Sequence, residues 1–572
     1  SLSLQASILD ILRNINMGTG ALSIAANTIN LDAKINGGIL NTALGQSGLN
    51  ATASVVNVLS PNGSIQQAIY LAKNDGTAQI YVAAGSYGEN LTVGKTVAIQ
   101  GADGAKIVGA LLPISDSIVT IAANGVAFKG FEIVALDAAA PLNAKFYAIS
   151  AQNVSGLDIA DNTITGGALS GIRLQNVSNS TIENNSLTLS LTGIDVSGGS
   201  NIQLLGNTIL GANKGISLVN SNYANISGNS VDGALEAGIF VNGTLGSTLF
   251  GNTINGALLD GIVVKSASDS DIEQNTVNGT VQDGISLSNS DDVRITNNTT
   301  QANLRNGIRV IDTTDVAVSG NNVSASGGSG IFVDPSSGSI TGNTVTLVAG
   351  SGIELVDGYD FLVGGNTVLG TGRDGIEVSG GSNVTVSGNT VGLTVRDGIS
   401  FATTDGFTVD GNIVGATGDD GIQLNLTKNG TVSGNTVLGT TDNGIEVMDA
   451  LTTYILSNNI GLTGNAGILA SGGMGLGVWG NTIALTTGDG INLSNMGGLS
   501  VLNNTVGATG DDGIELDTVD GALVQGNTLL ATTGDAIAAA RSKNLSVDSN
   551  DIALAGANGV SLDDVEALSL IH

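Results

Sequence analysis

Val384-Thr-Val-Ser-Gly-Asn-Thr-Val391 is the segment from which the architecture of this 572-residue chain can be inferred. Its apolar and polar residues alternate, which is the period of a β-strand with one buried face. Gly375-Ile-Glu-Val378, just upstream, alternates in the same way after its own turn. Because Gly, Asn and Asp separate these runs, the segment predicts strands of about three to five residues joined by tight corners.

The same pattern recurs in phase along most of the chain. A Gly-Ile step returns at a nearly constant interval, with Ala536 in place of one Gly and Val560 in place of one Ile. A column of Asn precedes the step, from Asn162 to Asn550. The eighteen steps begin at Gly171, Gly193, Gly215, Gly238, Gly261, Gly284, Gly307, Gly330, Gly352, Gly375, Gly398, Gly421, Gly444, Gly467, Gly490, Gly513, Ala536 and Gly559. Such a fixed period predicts a repeat architecture.

Each repeat is too short to bury its own apolar face, so the repeats must stack on one another. Parallel stacking places like residues about 4.8 Å apart and predicts a rod roughly 85 Å long. The Ile column then fills the interior, and the Asn column forms a ladder of hydrogen-bonded amides. We interpret these Asn as structural rather than ligand-binding, and we discount the Asn-x-Ser/Thr triplets on the ladder as glycosylation sites.

The composition excludes several classes of protein. The chain has no Cys and a single His, His572, so thiolate chemistry, zinc–thiolate sites and His-based acid–base catalysis lack their residues. Lys and Arg total 18 against 49 Asp and Glu, and the net charge of −31 repels nucleic acid and attracts divalent cations. No apolar run approaches the roughly 18 residues of a membrane span. The chain starts at Ser1 without a basic and apolar leader, which predicts a processed or excised product.

One helix is predicted ahead of the repeats, in Ser64-Ile-Gln-Gln-Ala-Ile-Tyr-Leu-Ala-Lys73. Ser64 and Gln67 have the spacing of a capping box, and the apolar residues fall on one helical face. With the repeats, this segment resembles the right-handed parallel β-helix of the pectin-lyase-like superfold, over roughly residues 59–572. The resemblance implies that the helix plugs one end of the solenoid. The expected fold class is all-β, a right-handed parallel β-helix with one short capping helix near the N-terminus and coils of about 22–23 residues.

The chain is expected to contain three segments. Residues 1–58 form a β-solenoid-like segment, residues 59–150 the helix and first irregular coils, and residues 151–572 the regular repeats. In the first segment, the alternating run from Gly20 to Ile35 resembles the haemagglutinin-type solenoid repeats of large secreted bacterial exoproteins. The last repeat stops at His572 without a polar cap, so we expect more chain, a partner or another copy to cover it.

Two polar columns flank the repeated Ile, one before each Gly and one after each Ile, and both are expected to point outward. They provide a candidate strip that binds a cation or a sugar. Carboxylates about 4.8 Å apart repel one another, and Ca²⁺, which prefers oxygen ligands, would turn that repulsion into attraction. The other interpretation is that Asp-Gly is good corner chemistry without a ligand, so no cofactor is required. The strip consists of Asp374, Glu377, Asp397, Asp420, Glu446, Asp489, Asp512 and Glu515.

The resemblance also implies enzymatic alternatives. In the polygalacturonase branch, catalytic Asp residues on adjacent coils precede a Gly-His-Gly step. Asp397-Gly398 and Asp419-Asp420-Gly421 match the first elements, but the His step is missing. A lyase needs an Arg base beside acids that bind Ca²⁺, and Arg373 and Arg396 are of that type, although surface ion pairs explain them as well. The Asp-Pro-His-Glu motif of the alginate-epimerase-like branch is absent, since Asp334-Pro335 precedes two Ser.

The constant repeat length leaves no long loops to build a catalytic cleft, which favours a non-enzymatic role. We interpret the chain as an extracellular structural and adhesive rod of a bacterial surface or matrix protein, with end-to-end assembly into filaments. The expected partners are further copies of itself, other surface proteins or a polysaccharide. Neither nucleic acid nor a membrane span is expected. The alternative is a glycoside hydrolase or lyase that acts on acidic polysaccharide.

Overall fold

The computed structural model describes residues 2–18, 22–37, 52–109, 116–135, 147–166, 169–188 and 190–571. The chain divides into two compact units, residues 1–281 and residues 282–572. The start of the predicted N-terminal alternation at Gly20 and the predicted end of the last repeat at His572 lie outside the described residues. None of the described residues forms a helix with the length and apolar character that a membrane span needs.

Each regular coil contributes one strand to each of three parallel sheets. In one coil, Ile399–Ala402 belongs to the first sheet, Asp405–Asp410 to the second and Ile413–Thr417 to the third. Ile399 pairs in parallel with Ile376 of the preceding coil and with Ile422 of the following one. The structure therefore confirms the predicted parallel β-solenoid and its repeat length.

The strands of residues 1–281 follow this order in all three sheets. In the first sheet they are Leu91–Val93, Ser117–Ile121, Tyr147–Gln152, Ser170–Gln175, Thr192–Ser197, Lys214–Val219, Ile239–Asn242 and Ile262–Lys265. In the second they are Leu2–Ile11, Leu22–Leu31, Val55–Val58, Ala78–Val82, Val97–Gly101, Ala127–Lys129, Asp158–Ala160, Ser178–Glu183, Ser200–Leu205, Asn225–Ser227, Thr248–Phe250 and Ser268–Glu273. In the third they are Gly85–Gly88, Ala105–Val108, Glu132–Val134, Thr163–Thr165, Ser186–Thr188, Thr208–Leu210, Ser230–Asp232, Thr253–Asn255 and Thr276–Asn278. Ile15–Gly18 and Ile35–Gly37 form a separate parallel pair.

In residues 282–572, Ile308–Ser319 and Ile331–Thr341 run through both the first and the second sheet. The other strands of the first sheet are Ile285–Ser288, Ile353–Val356, Ile376–Ser379, Ile399–Ala402, Ile422–Asn425, Ile445–Met448, Ile468–Ser471, Ile491–Ser494, Ile514–Asp517, Ile537–Ala540 and Val560–Asp563. The second sheet adds Asp291–Thr296, Tyr359–Gly364, Ser382–Ser387, Asp405–Asp410, Lys428–Ser433, Leu451–Leu456, Gly477–Trp479, Gly497–Leu502, Asp520–Gln525, Lys543–Asp548 and Ser569–Ile571. The third consists of Thr299–Gln301, Asn322–Ser324, Thr344–Val348, Thr367–Thr371, Thr390–Thr394, Ile413–Thr417, Thr436–Thr440, Asn459–Thr463, Thr482–Thr486, Thr505–Thr509, Thr528–Thr532 and Asp551–Ala553.

The core of each unit is a stack of aliphatic side chains enclosed by the three sheets. Ile262, Ile376 and Ile514, which begin strands of the first sheet, are all 0% exposed, as predicted. Close approach of neighbouring atoms leaves little room for a side chain at Gly375 and Gly513, which precede two of them. A Cβ atom on Gly421 would likewise lie 2.2 Å from Val437 Cγ1 and 2.5 Å from the carbonyl oxygen of Gly444. At these Gly-Ile steps the first sheet therefore packs closely against a side chain of the third.

The predicted Asn ladder is present, and it binds adjacent coils to each other. Asn412 is 0% exposed, and its Nδ2 donates to Asn435 Oδ1 and to Val386 O, both at 2.9 Å. Its backbone N also donates to Asn435 Oδ1 at 2.9 Å. Asn389 makes the equivalent bonds to Asn412. The amides thus satisfy buried backbone groups that no strand pairing reaches, which confirms their structural role.

The helix Ile65–Leu71 is the one helix of the described residues, and it is shorter than the predicted segment. Ser64 caps it by accepting a hydrogen bond from the Gln67 N–H at 3.2 Å. The predicted return bond from the Gln67 side chain is not formed, because that side chain binds the backbone N–H and carbonyl of Ile35. The Glu89 carboxylate instead accepts the Ile65 N–H at 3.0 Å. The helix packs on Leu91–Val93 and so covers the beginning of the first sheet.

Parallel pairing also extends upstream of the helix. Leu2–Ile11 pairs with Leu22–Leu31, and that strand pairs in turn with Val55–Val58. These strands continue the second sheet, so the helix does not terminate it. The haemagglutinin-type resemblance and the segment boundaries at residues 58 and 150 stay predictions.

Replacing Asn458 by Ala should destabilise the chain strongly, because buried groups on two coils would lose their partners. Asn458 accepts hydrogen bonds from the backbone N and Nδ2 of Asn435, both at 2.9 Å, and donates to Val432 O at 3.0 Å. Since each unsatisfied buried group costs about 1–3 kcal/mol, we expect urea unfolding to show a loss of roughly 3 kcal/mol or more. Asn459, the next residue, is exposed and gives a matched control. Asn459→Ala should change stability by less than about 0.5 kcal/mol, and equal effects of the two substitutions would contradict the ladder's role.

Candidate functional site

The predicted Asp residues lie at the corner where the third sheet of one coil leads into the first sheet of the next. At one such corner, the strand Ile413–Thr417 ends, Gly418-Asp419-Asp420 makes the turn, and Ile422–Asn425 follows. Thr417 Oγ1 donates to the carbonyl of Asp419 at 3.1 Å, which fixes the turn. Equivalent Thr side chains make the same bond at seven other corners. The corner is therefore one repeated structure.

In the run from Asp374 to Asp420, the residue before the Gly points into this corner rather than outward. Asp374, Asp397 and Asp420 are 1%, 0% and 2% exposed, so the prediction of an outward column is wrong at these positions. Each Oδ1 accepts the backbone N–H of the equivalent residue on the next coil, at 3.1 Å for Asp397 N, 3.1 Å for Asp420 N and 2.9 Å for Asn443 N. The strand alternation that suggested an outward direction does not extend through the corner, where a buried N–H needs an acceptor.

A second run of the same ladder contains Asp489 and Asp512, which are half-buried. The Asp512 N–H binds Asp489 Oδ1 at 2.9 Å, and the Asp535 N–H binds Asp512 Oδ1 at 2.6 Å. Between the two runs the column carries Asn443 and then Ala466, which has no side-chain acceptor. The eight predicted residues therefore form separate groups rather than one continuous strip.

The residue after each Ile does lie on the outer face of the first sheet, as predicted. Glu377, Glu446 and Glu515 are half-buried there. Gln423 Nε2 donates to Glu446 Oε2 at 3.2 Å, and the Asn492 amide donates to Glu515. These acids thus contact polar side chains of neighbouring coils and stay accessible to solvent.

Burial changes the acidity of the ladder. It raises the pKa of Asp397 to about 7, with a further contribution from the charge of Asp374. It raises the pKa of Asp420 to about 8, together with the charge of Glu446, with which Asp420 shares a hydrogen bond. Some of these carboxyl groups therefore keep a proton near neutral pH.

Four of the predicted acids are brought into two groups of three carboxylates, in which one oxygen of each residue lies within 4.8 Å of the others. The third member of each group, Asp419 or Asp511, is not buried and is not among the predicted residues. Its sequence signal is the doubled acid in Asp-Asp-Gly-Ile, which occurs at both places. The groups are Asp397 with Asp419 and Asp420, and Asp489 with Asp511 and Asp512.

The two arginines of the lyase interpretation lie beside acids. Arg373 Nη2 is 3.6 Å from Glu377 Oε1, and Arg396 Nε is 3.7 Å from Asp374 Oδ1. Both side chains are about half exposed, at 46% and 48%. Both arginines thus form partly exposed ion pairs, as the alternative interpretation expects.

A groove of about 450 Å³ lies beside the first sheet and is not predicted from the sequence. Arg309, Phe332 and Glu354 stand next to one another in its lining because they occupy paired positions on successive coils. Arg305 and Arg373 line it from the corners. In the sequence, the groove is marked only by Phe332, which stands between Arg309 and Glu354 in the column of residues that follow the repeated Ile. This aromatic residue interrupts the polar residues around it without changing the spacing of the column.

Comparison with known proteins identifies the repeat. The family model described as "Right handed beta helix region" matches residues 147–299, 214–368, 329–483 and 420–567. No curated protein matches the sequence.

Several solved structures are similar to this chain. The A-module of the Azotobacter vinelandii mannuronan C-5 epimerase AlgE4 is 12% identical over 88% of this chain and 91% of its own, with a TM-score of 0.20. PfbA, a surface adhesin of Streptococcus pneumoniae, is 13% identical over 72% of this chain and 91% of its own, with a TM-score of 0.26. The catalytic domain of a GH87 alpha-1,3-glucanase is 12% identical over 71% of this chain and 64% of its own, with a TM-score of 0.24.

The raised pKa values predict that the chain is less stable at pH 8 than at pH 5. A carboxyl group with a raised pKa in the folded state contributes stability that is complete below its unfolded pKa and is lost as the pH rises through its folded pKa. For Asp420 this window runs from the ordinary value of 3.8 to about 8. Asp420→Asn should reduce the loss, since Asn443 shows that an amide fits this column.

The measurement is urea unfolding at pH 5 and pH 8 in a chelating buffer. The control is Asp442→Asn, which removes one negative charge at the corner position equivalent to Asp419 on the next coil. It should leave the pH dependence as in the unmodified chain. Identical pH dependence in the chain and in Asp420→Asn would contradict the prediction.

Proposed function

We propose a function from the premise that this chain belongs to the right-handed β-helix family. Its role is that of a non-catalytic, extracellular scaffold that adheres to a polysaccharide through the groove beside Phe332. The observation that carries this proposal is the use of Asp397 and Asp420, the best-matched catalytic candidates, as buried links between coils.

A glycosidase needs two carboxyl groups that reach the glycosidic bond, one as acid and one as base or nucleophile. Asp397 and Asp420 are 0% and 2% exposed, and each binds a backbone N–H of the next coil through Oδ1. Their geometry matches a requirement of the fold, which is to satisfy a donor at a buried corner. This favours a scaffold over a hydrolase.

The groove offers what a binding site for sugars needs. Its volume of about 450 Å³ is within the usual range of about 300–1,000 Å³ for ligand sites. The half-buried ring of Phe332 provides an apolar face, while Arg309 and Glu354 beside it provide planar donors and acceptors. These groups suit the mixed apolar and hydroxyl surface of a sugar ring.

The charges of the groove favour a neutral polysaccharide. Arg309 Nε lies 3.8 Å from Asp283 Oδ2, and Arg373 Nη2 lies 3.6 Å from Glu377 Oε1. Because these arginines are balanced by acids in a chain of net charge −31, a polyanion gains little from them and is repelled by the rest of the surface.

Binding to neutral glucans and to polyuronates, measured by affinity electrophoresis and calorimetry, tests the proposal. We expect binding of a neutral polysaccharide without release of reducing ends or unsaturated products. Phe332→Ser should weaken that binding about tenfold, the equivalent of about 1.4 kcal/mol. Ser400 occupies the same outward column, so the fold accommodates this substitution.

The matched control is Tyr359→Ala, which removes an exposed aromatic ring from the second sheet of the same unit. It should leave binding unchanged. Binding that is insensitive to Phe332→Ser would overturn the assignment of the groove. If the unmodified chain released products and Asp420→Asn did not, the chain would be an enzyme rather than a scaffold.

A further inference from the structure

We propose that residues 282–572 contain an oxygen-only site for a divalent cation of the Ca²⁺ class at the corner between two coils. The site is formed by Asp397 with Asp419 and Asp420. Asp489, Asp511 and Asp512 form a similar group four coils further on, but none of these three described residues has a buried oxygen without a partner.

The spacing of the carboxylates fits such a cation. One oxygen of each residue lies within 4.8 Å of the others in both groups. Oxygen ligands lie about 2.3–2.6 Å from Ca²⁺, so two ligands on opposite sides of the ion are about 5 Å apart. An ion at the centre of either group can therefore contact all three residues, with water or carbonyl oxygens completing its shell.

A buried oxygen without a donor points independently to a ligand at the site. Asp397 is 0% exposed, and its carboxylate faces the next corner, where Oδ1 accepts the Asp420 N–H at 3.1 Å. Among the described residues, no donor lies within hydrogen-bond distance of Asp397 Oδ2. A buried carboxylate oxygen needs a proton, a donor or a cation, because leaving it unpaired costs free energy.

The turn itself does not require the extra acid. Corners with Arg396, Asp442 or Asn465 at the position of Asp419 make the same Thr-to-carbonyl hydrogen bond, at 2.8, 3.1 and 3.0 Å. Asp419 is not buried, and its charge adds to the repulsion felt by Asp397. The turn forms at other corners that lack this acid. A bound cation explains why Asp419 is present here despite the repulsion between carboxylates.

The whole corner occurs twice, in the same form. Val414–Leu424 and Val506–Leu516 are identical except for Gln423 and Glu515. They are separated by four coils, or about 19 Å along the stack. In each case the preceding coil supplies the third acid, Asp397 or Asp489. The corners between them, which carry Asn443 and Ala466, lack the triad.

The surroundings of the site carry charges of both signs. The site faces Arg396, which opposes a cation, and also Asp374 and Glu446, which favour one.

The test uses the full chain and CaCl₂, with MgCl₂ as a comparison. We expect calorimetric binding of at least one Ca²⁺ per chain and a midpoint of thermal unfolding that rises with Ca²⁺. The variant Asp419→Asn should weaken binding at least about tenfold, since affinity depends on the number of charged ligands. Asp419 is not buried, so the fold should persist, which circular dichroism checks.

Asp442→Asn is the matched control, because it removes the same charge at the same corner position one coil on, where Asn443 replaces the second acid. It should bind Ca²⁺ as the unmodified chain does. Absence of Ca²⁺ binding at millimolar concentration would overturn the proposal. If Asp442→Asn weakened Ca²⁺ binding equally, the proposal would also be overturned. Such a result would show that the weakening comes from the loss of surface charge in general.

Discussion

Parallel pairing at a nearly constant offset is the constraint on which the rest of this structure depends. Because each coil lies one strand spacing, about 4.8 Å, from the last, a buried group meets the equivalent group of the next coil. Asn412 satisfies this constraint with an amide that both donates and accepts. Asp397 satisfies it with a carboxylate that can only accept when it is ionised. The first solution is electrically neutral, whereas the second brings acidic groups close together at the corners.

The sequence predicts those features that repeat with the coil, and it fails where a feature depends on direction or on a single substitution. Ile376 and the Asn column were predicted correctly because strand alternation and periodicity determine their burial. Asp397 was expected outside and lies inside, since alternation ends at the corner and the backbone there requires an acceptor. Phe332 and its groove were missed because one aromatic residue in an outward column leaves the period unchanged. The Glu89 cap was missed for a similar reason, since its partner Ile65 lies a whole coil earlier in the chain.

The polar side chains at the corners and on the sheet face have different surroundings. At the corners, carboxylates satisfy backbone donors, and their raised pKa values follow from burial. On the face of the first sheet, Arg309 and Glu354 are half-buried, and they contact Asp283 and Ser329. A perturbed pKa is therefore a poor guide to a catalytic role in this solenoid.

The constant length of the coil has a consequence for how such a chain can grow or shrink. Since Asn389, Asn412 and Asn435 make the same bonds to their neighbours, deletion of one full coil would leave each remaining amide with an equivalent partner. Gain or loss of genetic material that encodes a whole number of coils is thus compatible with the fold. Any other length would shift the ladders out of register. Selection for a longer or shorter scaffold can therefore act by recombination between coils, without a new interior having to evolve.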